Sequence, residues 1–316
     1  MSFSTFLNLV EIKTKLASFF PFMIGVLFSI SYFGQIHWIN TLIFFCGMLS
    51  FDMATTAINN YMDFKKAKSD VYKYEENIIG QLDLSLRLIR WLIFAMIAFT
   101  LVTGLYLTTQ AGWLFMLIGG MCCFIGIFYT YGPIPLSRMP LGELFSGFTM
   151  GLGIFLLVLC VNVTHKPPFY LQVNFRTGLF HLDGNIWSIT AVILAALPLI
   201  ASIANVMLAN NLRDLDLDIQ NHRYTLIYYI GRPMGINLFK ALAMLGYLTL
   251  IIGMISGIYH WPVLITFVSM PLVWKNCLQF QKVLPHPRSF GYAIKNLVVF
   301  NACYGLALLI SILIYR

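Results

Sequence analysis

Two clusters of acids and amides carry most of the chemistry this sequence is equipped for. The first reads F-D-M-A-T-T-A-I-N-N-Y-M-D-F-K-K-A-K-S-D over residues 51–70. On a helix, Asp52, Thr56, Asn59 and Asp63 fall at i, i+4, i+7 and i+11, which is one face, and Asp70 lies just beyond. The second reads N-N-L-R-D-L-D-L-D over residues 210–218, and Asn210, Asp214 and Asp218 again share a face. Carboxylate and amide oxygens are hard ligands that suit Mg²⁺, which often bridges one or two carboxylates to phosphate oxygens. Lys65, Lys66, Lys68, Arg138, Arg213 and Arg223 lie close in sequence to the clusters or on the same expected side, and would balance further negative charge. A metal-bound diphosphate is the chemistry this pattern fits. A single D-x-x-x-D at a helix end is more often a solvated face. Two such clusters, each headed by Asn and each following a separate apolar stretch, are a stronger signal.

The elements that must position these residues are membrane helices. Of 316 residues, 59% are hydrophobic and 10% charged, and the mean hydropathy is +0.80. Soluble chains carry about 25% charged residues. Nine apolar stretches approach the roughly 20 residues needed to cross a bilayer. They fall at about 16–34, 38–59, 91–110, 112–131, 142–164, 187–210, 235–258, 261–280 and 295–315. Backbone groups in lipid need internal hydrogen bonds, so helices are expected throughout. The chain is read as all-α, a single multi-pass domain over 1–316. The first stretch lacks a small-residue cleavage site and reads as a permanent helix.

Charge then sets the expected orientation in the cell membrane. With the N-terminus cytoplasmic and the C-terminus outside, 17 Lys and Arg fall inside, and only Lys166, Arg176 and Arg316 fall outside. The net charge of +8 is therefore a topology signal, and no soluble reading head points to nucleic acid. The six cysteines lie in apolar stretches without a C-x-x-C pair, and the six histidines show no zinc spacing. Two inside connections are read as long and polar, at about 60–90 and 211–234. The outside ones are short except for about 165–186.

Several stretches resemble the UbiA superfamily of intramembrane prenyltransferases, and within it the 1,4-dihydroxy-2-naphthoate prenyltransferases of menaquinone synthesis. N-N-Y-M-D at 59–63 and N-N-L-R-D-L-D-L-D at 210–218 look like its two Asp-rich motifs. Y-T-Y-G-P-I-P at 129–135 with L-G-E at 141–143 looks like a segment of that subgroup, as do R-Y-T-L at 223–226, G-R-P-M-G at 231–235 and K-T-K-L-A at 13–17. The resemblance implies nine helices around a central cavity and Mg²⁺ held through both motifs. It gives Asn59, Asp63, Asp214 and Asp218 metal-facing, catalytic roles, with Asp70 and Asn210 completing the ligand set. Lys65, Lys68, Arg138, Arg213 and Arg223 would bind diphosphate. Tyr129 and Tyr131 stand as candidates on the acceptor side, with Tyr61 near the same rim; each also reads as an interfacial anchor. The sequence departs from the family pattern at Asn60, where Asp is usual, at Ala67, at the position of Asp70, and at Tyr131, where Gly is usual. Asp52 has two readings: a compensating ligand, or a buried acid paired with a neighbouring helix.

The implied reaction breaks the allylic C–O bond of a polyprenyl diphosphate, its leaving group stabilised by Mg²⁺ and basic side chains. A dihydroxynaphthoate ring then attacks through carbon, and CO₂ is lost. Apolar and aromatic walls would keep water from the cation. The rival readings are a prenyltransferase for another quinone ring or haem, and a secondary transporter. The acids sit at helix ends beside basic loops rather than at broken mid-membrane helices, which disfavours a transporter.

Overall fold

The computed structural model of the chain describes residues 1–67, 72–129 and 136–316. Lys68, Asp70 and Tyr131, and with them most of the 129–135 motif, lie outside the described residues.

A short helix α1 (Phe3–Leu9) and a 3₁₀ turn (Ile12–Lys15) lead into α2 (Leu16–Phe28), which continues as a π-helical turn (Ser29–Phe33). There follow α3 (Trp38–Lys66), the short α4 (Ile78–Gln81), α5 (Leu86–Ala111), α6 (Trp113–Phe128) and α7 (Gly142–Ser146). A π-helical stretch (Gly147–Gly153) joins α7 to α8 (Ile154–Asn162). After a hairpin of β1 (Phe169–Asn174) and β2 (Leu179–Gly184) come α9 (Ile186–Gln220), α10 (Leu226–Ile255), α11 (Met270–Val283) and α12 (Phe290–Tyr315).

Among the described residues, eight helical segments are long and apolar enough to cross a membrane, from Leu16–Phe33 to Pro287–Tyr315. The stretch expected at 112–131 forms α6, with 16 residues. At 1.5 Å per residue it spans about 24 Å, short of a hydrocarbon core of about 30 Å. α5 stops where Gly112 adopts φ +86°, a conformation that glycine enters without a Cβ clash. Successive membrane segments pack in chain order, and α12 returns against α2, closing the ring.

Two expectations need correction. The polar connection read at 211–234 is largely helix: α9 runs unbroken to Gln220 and α10 starts at Leu226. The acids here are spaced for one face, and leucines fill the intervening positions, so nothing in the residues stops the helix before Asn221. The connection at about 60–90 likewise begins inside α3 and holds α4. The long outside connection read at about 165–186 holds the hairpin, paired from Phe169↔Gly184 to Asn174↔Leu179.

Lipid is as apolar as leucine, so close packing rather than water exclusion holds membrane helices together. One close backbone approach brings the π-helical stretch onto α9. A Cβ at Gly151 would lie 2.8 Å from Ile200 N and Cα, and one at Gly147 would lie 2.9 Å from Ile200 O. Leu199, Leu208, Leu212, Phe239, Phe280 and Tyr304 centre the larger core between α9 and α12. The rings of Phe239 and Phe280 stack at 4.2 Å there.

Candidate functional site

Both acidic clusters lie at the same end of the bundle. α3 starts where His37 N–H donates to Asn162 Oδ1 at 2.8 Å, at the end of α8. α9 starts beside the hairpin that follows α8, capped by Asn185, whose side chain accepts from Ser188 N–H at 2.9 Å. The two helices therefore run the same way and carry their polar ends to the opposite rim.

On α9 the arrangement is dense. Arg213 Nη2 donates to Asn210 Oδ1 at 2.8 Å and to Asp214 Oδ2 at 2.5 Å, and its Nε donates to Asp214 Oδ1 at 2.6 Å. Its guanidinium carbon also lies 5.1 Å from the Phe290 ring centroid. One turn on, Asp218 is only 3% exposed. Its Oδ1 pairs with Arg223 Nη1 at 3.2 Å, while its Oδ2 is buried without a hydrogen-bond partner. Arg223 also donates from its backbone N–H to Asp218 O at 2.8 Å, and from Nη2 to Ser137 O at 3.5 Å. That contact ties α9 to the 3₁₀ turn holding Arg138, whose charge acts on Asp218. Tyr129 ends α6, and its hydroxyl donates to Gly142 O at 3.5 Å. The phenol lies within electrostatic reach of Glu143 and Arg223.

The structure accordingly brings together Asn210, Arg213, Asp214, Asp218, Arg223, Arg138 and Tyr129. It places Asn59, Asp63 and Lys65 in the last two turns of α3, with the Lys65 ammonium 5.6 Å from the Tyr61 ring centroid. Asn60 points off that face. Its Nδ2 donates to Leu9 O at 2.9 Å and holds α1, a bond that an ionised Asp, having no donor, would not make.

Asp52 resolves to the second of its two readings. Lys15 Nζ donates to Asp52 Oδ1 at 2.7 Å and to Thr56 Oγ1 at 2.6 Å, and Ser18 Oγ donates to Asp52 Oδ2 at 2.6 Å. The acid is a half-buried strut tying α3 to α2 and the turn before it. Sequence reasoning named Glu143 only as part of the L-G-E segment and gave it no role; it is buried and accepts from Asn211 Nδ2 at 2.8 Å between α7 and α9. Asp216 sits on the outer face, paired with Arg232 at 2.9 Å.

The donor set fits Mg²⁺. Among the described residues no three His, Cys, Asp or Glu side chains form a ready-made cluster. Mg²⁺ commonly takes one or two carboxylates and fills its remaining positions with water and substrate phosphate. Asp214, Asn210 and Asp218 present oxygens on one helix face, and the unpartnered Asp218 Oδ2 is a buried negative site that a cation would satisfy.

Comparison with known proteins agrees with this geometry. The profile of the UbiA prenyltransferase family matches residues 18–288. A 1,4-dihydroxy-2-naphthoate octaprenyltransferase of Bacillus subtilis (strain 168) is 26% identical over 311 residues, covering 97% of this chain and 91% of that protein. A solved digeranylgeranylglyceryl phosphate synthase superposes with a TM-score of 0.64 at 15% identity, covering 98% of both chains. A UbiA homolog from Archaeoglobus fulgidus, bound to GPP and Mg²⁺, gives 0.61 at 14% identity, covering 96% of this chain and 99% of that one. The two structures share the fold. With the match running from α2 to the threshold of α12, this chain is an integral membrane protein of the UbiA prenyltransferase family.

Proposed function

We propose that this prenyltransferase moves a polyprenyl group from a polyprenyl diphosphate to 1,4-dihydroxy-2-naphthoate, releasing diphosphate and CO₂ and giving demethylmenaquinol. The observation that carries the reading is the inner end of α9, where carboxylates and guanidinium groups alternate around Asp214 and Asp218. Such a mixture can hold a metal–diphosphate and compensate the charge it leaves over. The name of the Bacillus subtilis relative supports the acceptor, and the ligands of the Archaeoglobus fulgidus homolog support the donor and the ion.

Asn59, Asp63, Asn210, Asp214 and Asp218 would hold Mg²⁺, with Asp70 as a further ligand. When bound, the ion supplies Lewis-acid neutralisation of the diphosphate oxygens. The chain's own cations do the rest. Arg213, Arg223, Arg138, Lys65 and Lys68 stabilise charge as it builds on the leaving group. Tyr129 and Tyr131 stand on the acceptor side. The membrane helices exclude water from the allylic cation.

The test supplies purified protein with a polyprenyl diphosphate, Mg²⁺ and a panel of aromatic acids and haem. Dihydroxynaphthoate should be prenylated fastest, and chelation should abolish turnover until Mg²⁺ is restored. Full activity in excess chelator would defeat the metal reading, and product from a different ring alone would reassign the acceptor.

The charge bias supports a cytoplasmic site, with the N-terminus inside and the C-terminus outside. A membrane-impermeant thiol reagent should reach single cysteines at positions 65 and 316 from opposite faces of sealed vesicles. Labelling of both from one face would rule this topology out.

A further inference from the structure

The hairpin between α8 and α9 has two chemically distinct faces. Strand residues alternate sides. The register pairs Leu171 with Leu182 and Val173 with Phe180, all on the face that also holds Phe169. The other face is mostly polar, carrying Gln172, Asn174, His181 and Asp183 with Tyr170 and Leu179 among them. β1 packs against α6, and its apolar residues Phe169, Leu171 and Val173 are half covered. β2 is exposed along its whole length, and Phe180 and Leu182 are each 69% exposed. The apolar face is thus turned toward the end of the helix bundle. β1 lies against α6 at that end, and β2 carries its two bare hydrophobic side chains on the same face.

What lies beyond the rim of a membrane-spanning bundle is lipid. The hairpin's tip is continuous with that boundary: the Phe175 ring meets Trp113, the first residue of α6, at 5.0 Å between centroids. Trp38, Trp113, Trp187 and Trp261, four of the chain's six tryptophans, open segments at this same end, and all four are exposed. Tryptophan gathers at the headgroup level, so these rings mark the height of the interface. We infer that the hairpin is an interfacial anchor: β2 lies on the bilayer surface with Phe180 and Leu182 dipping among the lipid chains, and its polar face looks to water. The partner is the bilayer itself, and the attraction is apolar, so no particular headgroup is required.

The test places the photocrosslinker p-benzoylphenylalanine singly at Phe180, Leu182 or His181 in the full chain, reconstituted in vesicles of phosphatidylcholine alone. After irradiation, mass spectrometry should find lipid adducts at 180 and 182 and little or none at 181, a contrast of at least severalfold. His181 lies between them in sequence but on the other face, so it controls for proximity and expression alike. Equal lipid adducts at all three positions would overturn the inference, as would an absence of lipid adducts at 180 and 182. Repeating the irradiation in native membranes separates the remaining occupant. A dominant protein adduct at Phe180 there would mean that the face docks a partner subunit.

Discussion

Replacing Asp214 by alanine should cut prenyl transfer by roughly 10²–10³-fold or more, the range seen when one electrostatic stabiliser of a developing charge is removed. The variant deletes both oxygens that Arg213 now holds, and with them the negative charge that would fix a cation over the leaving group. Asp63→Ala should do comparable damage from α3. If the two act on one diphosphate, the double variant should be little worse than either single one, because groups that work as a unit lose their effect together. Asp214→Asn refines the test. It keeps the shape and one acceptor for Arg213 but not the charge, and should remain close to the alanine variant. Diphosphate release and prenylated product should be measured together, with monodispersity in detergent as the folding control. Asp214 is partly exposed at the rim, so folding should survive. Near-normal turnover in Asp214→Ala would reduce the second cluster to a solvated helix end.

The largest effect on stability is expected elsewhere, at Asp52→Ala. The Lys15 and Asp52 side chains are 7% and 15% exposed, and the pair joins the 3₁₀ turn ahead of α2 to α3. Removing the acid strands a buried ammonium, which typically costs about 3–5 kcal/mol. Replacing both partners with apolar groups, as in Lys15→Met with Asp52→Leu, removes the orphan and should restore most of that loss. Thermal unfolding in detergent measures both. If Asp52→Ala unfolds like the parent while the double variant is worse, the pair is not the strut that its distances describe.

How much of this was legible in the residues depends on what each signal specifies. The helical class was plain, because hydropathy reports burial in lipid directly. The shared face of Asn210, Asp214 and Asp218 was also plain, because 3.6-residue spacing fixes direction around an axis. Arg213's partners were not. Its side chain curls back onto Asp214 and Asn210, and nothing in the spacing says which way a long flexible group turns. Asp52 shares a face with Asn59 by spacing alone, yet Lys15, 37 residues away, decides its role. Asn60 stands where the family pattern has Asp, yet it uses the one property an acid lacks, its N–H donors. The hairpin had a local signal: alternation in Phe169, Leu171 and Val173, and Gly178 at φ +72° in the turn. Without a hydropathy peak, that stretch reads only as a long connection.

The unbroken run of α9 sets where its acids lie relative to the lipid phosphates. From Ile186, next to the exposed Trp187, to Asn210 is about 36 Å of helix at 1.5 Å per residue, a little more than the hydrocarbon thickness of about 30 Å. Asp214 and Asp218 follow within a further ~12 Å. A rigid rod anchored at one leaflet thus presents its acids at the depth where the opposite leaflet keeps its own phosphates. A prenyl diphosphate floating in that leaflet already carries its head at this level and its tail below it. Capture then requires sideways diffusion in the plane, with no lifting of fifteen or more apolar carbons into water, which at ~0.8 kcal/mol per methylene would be prohibitive.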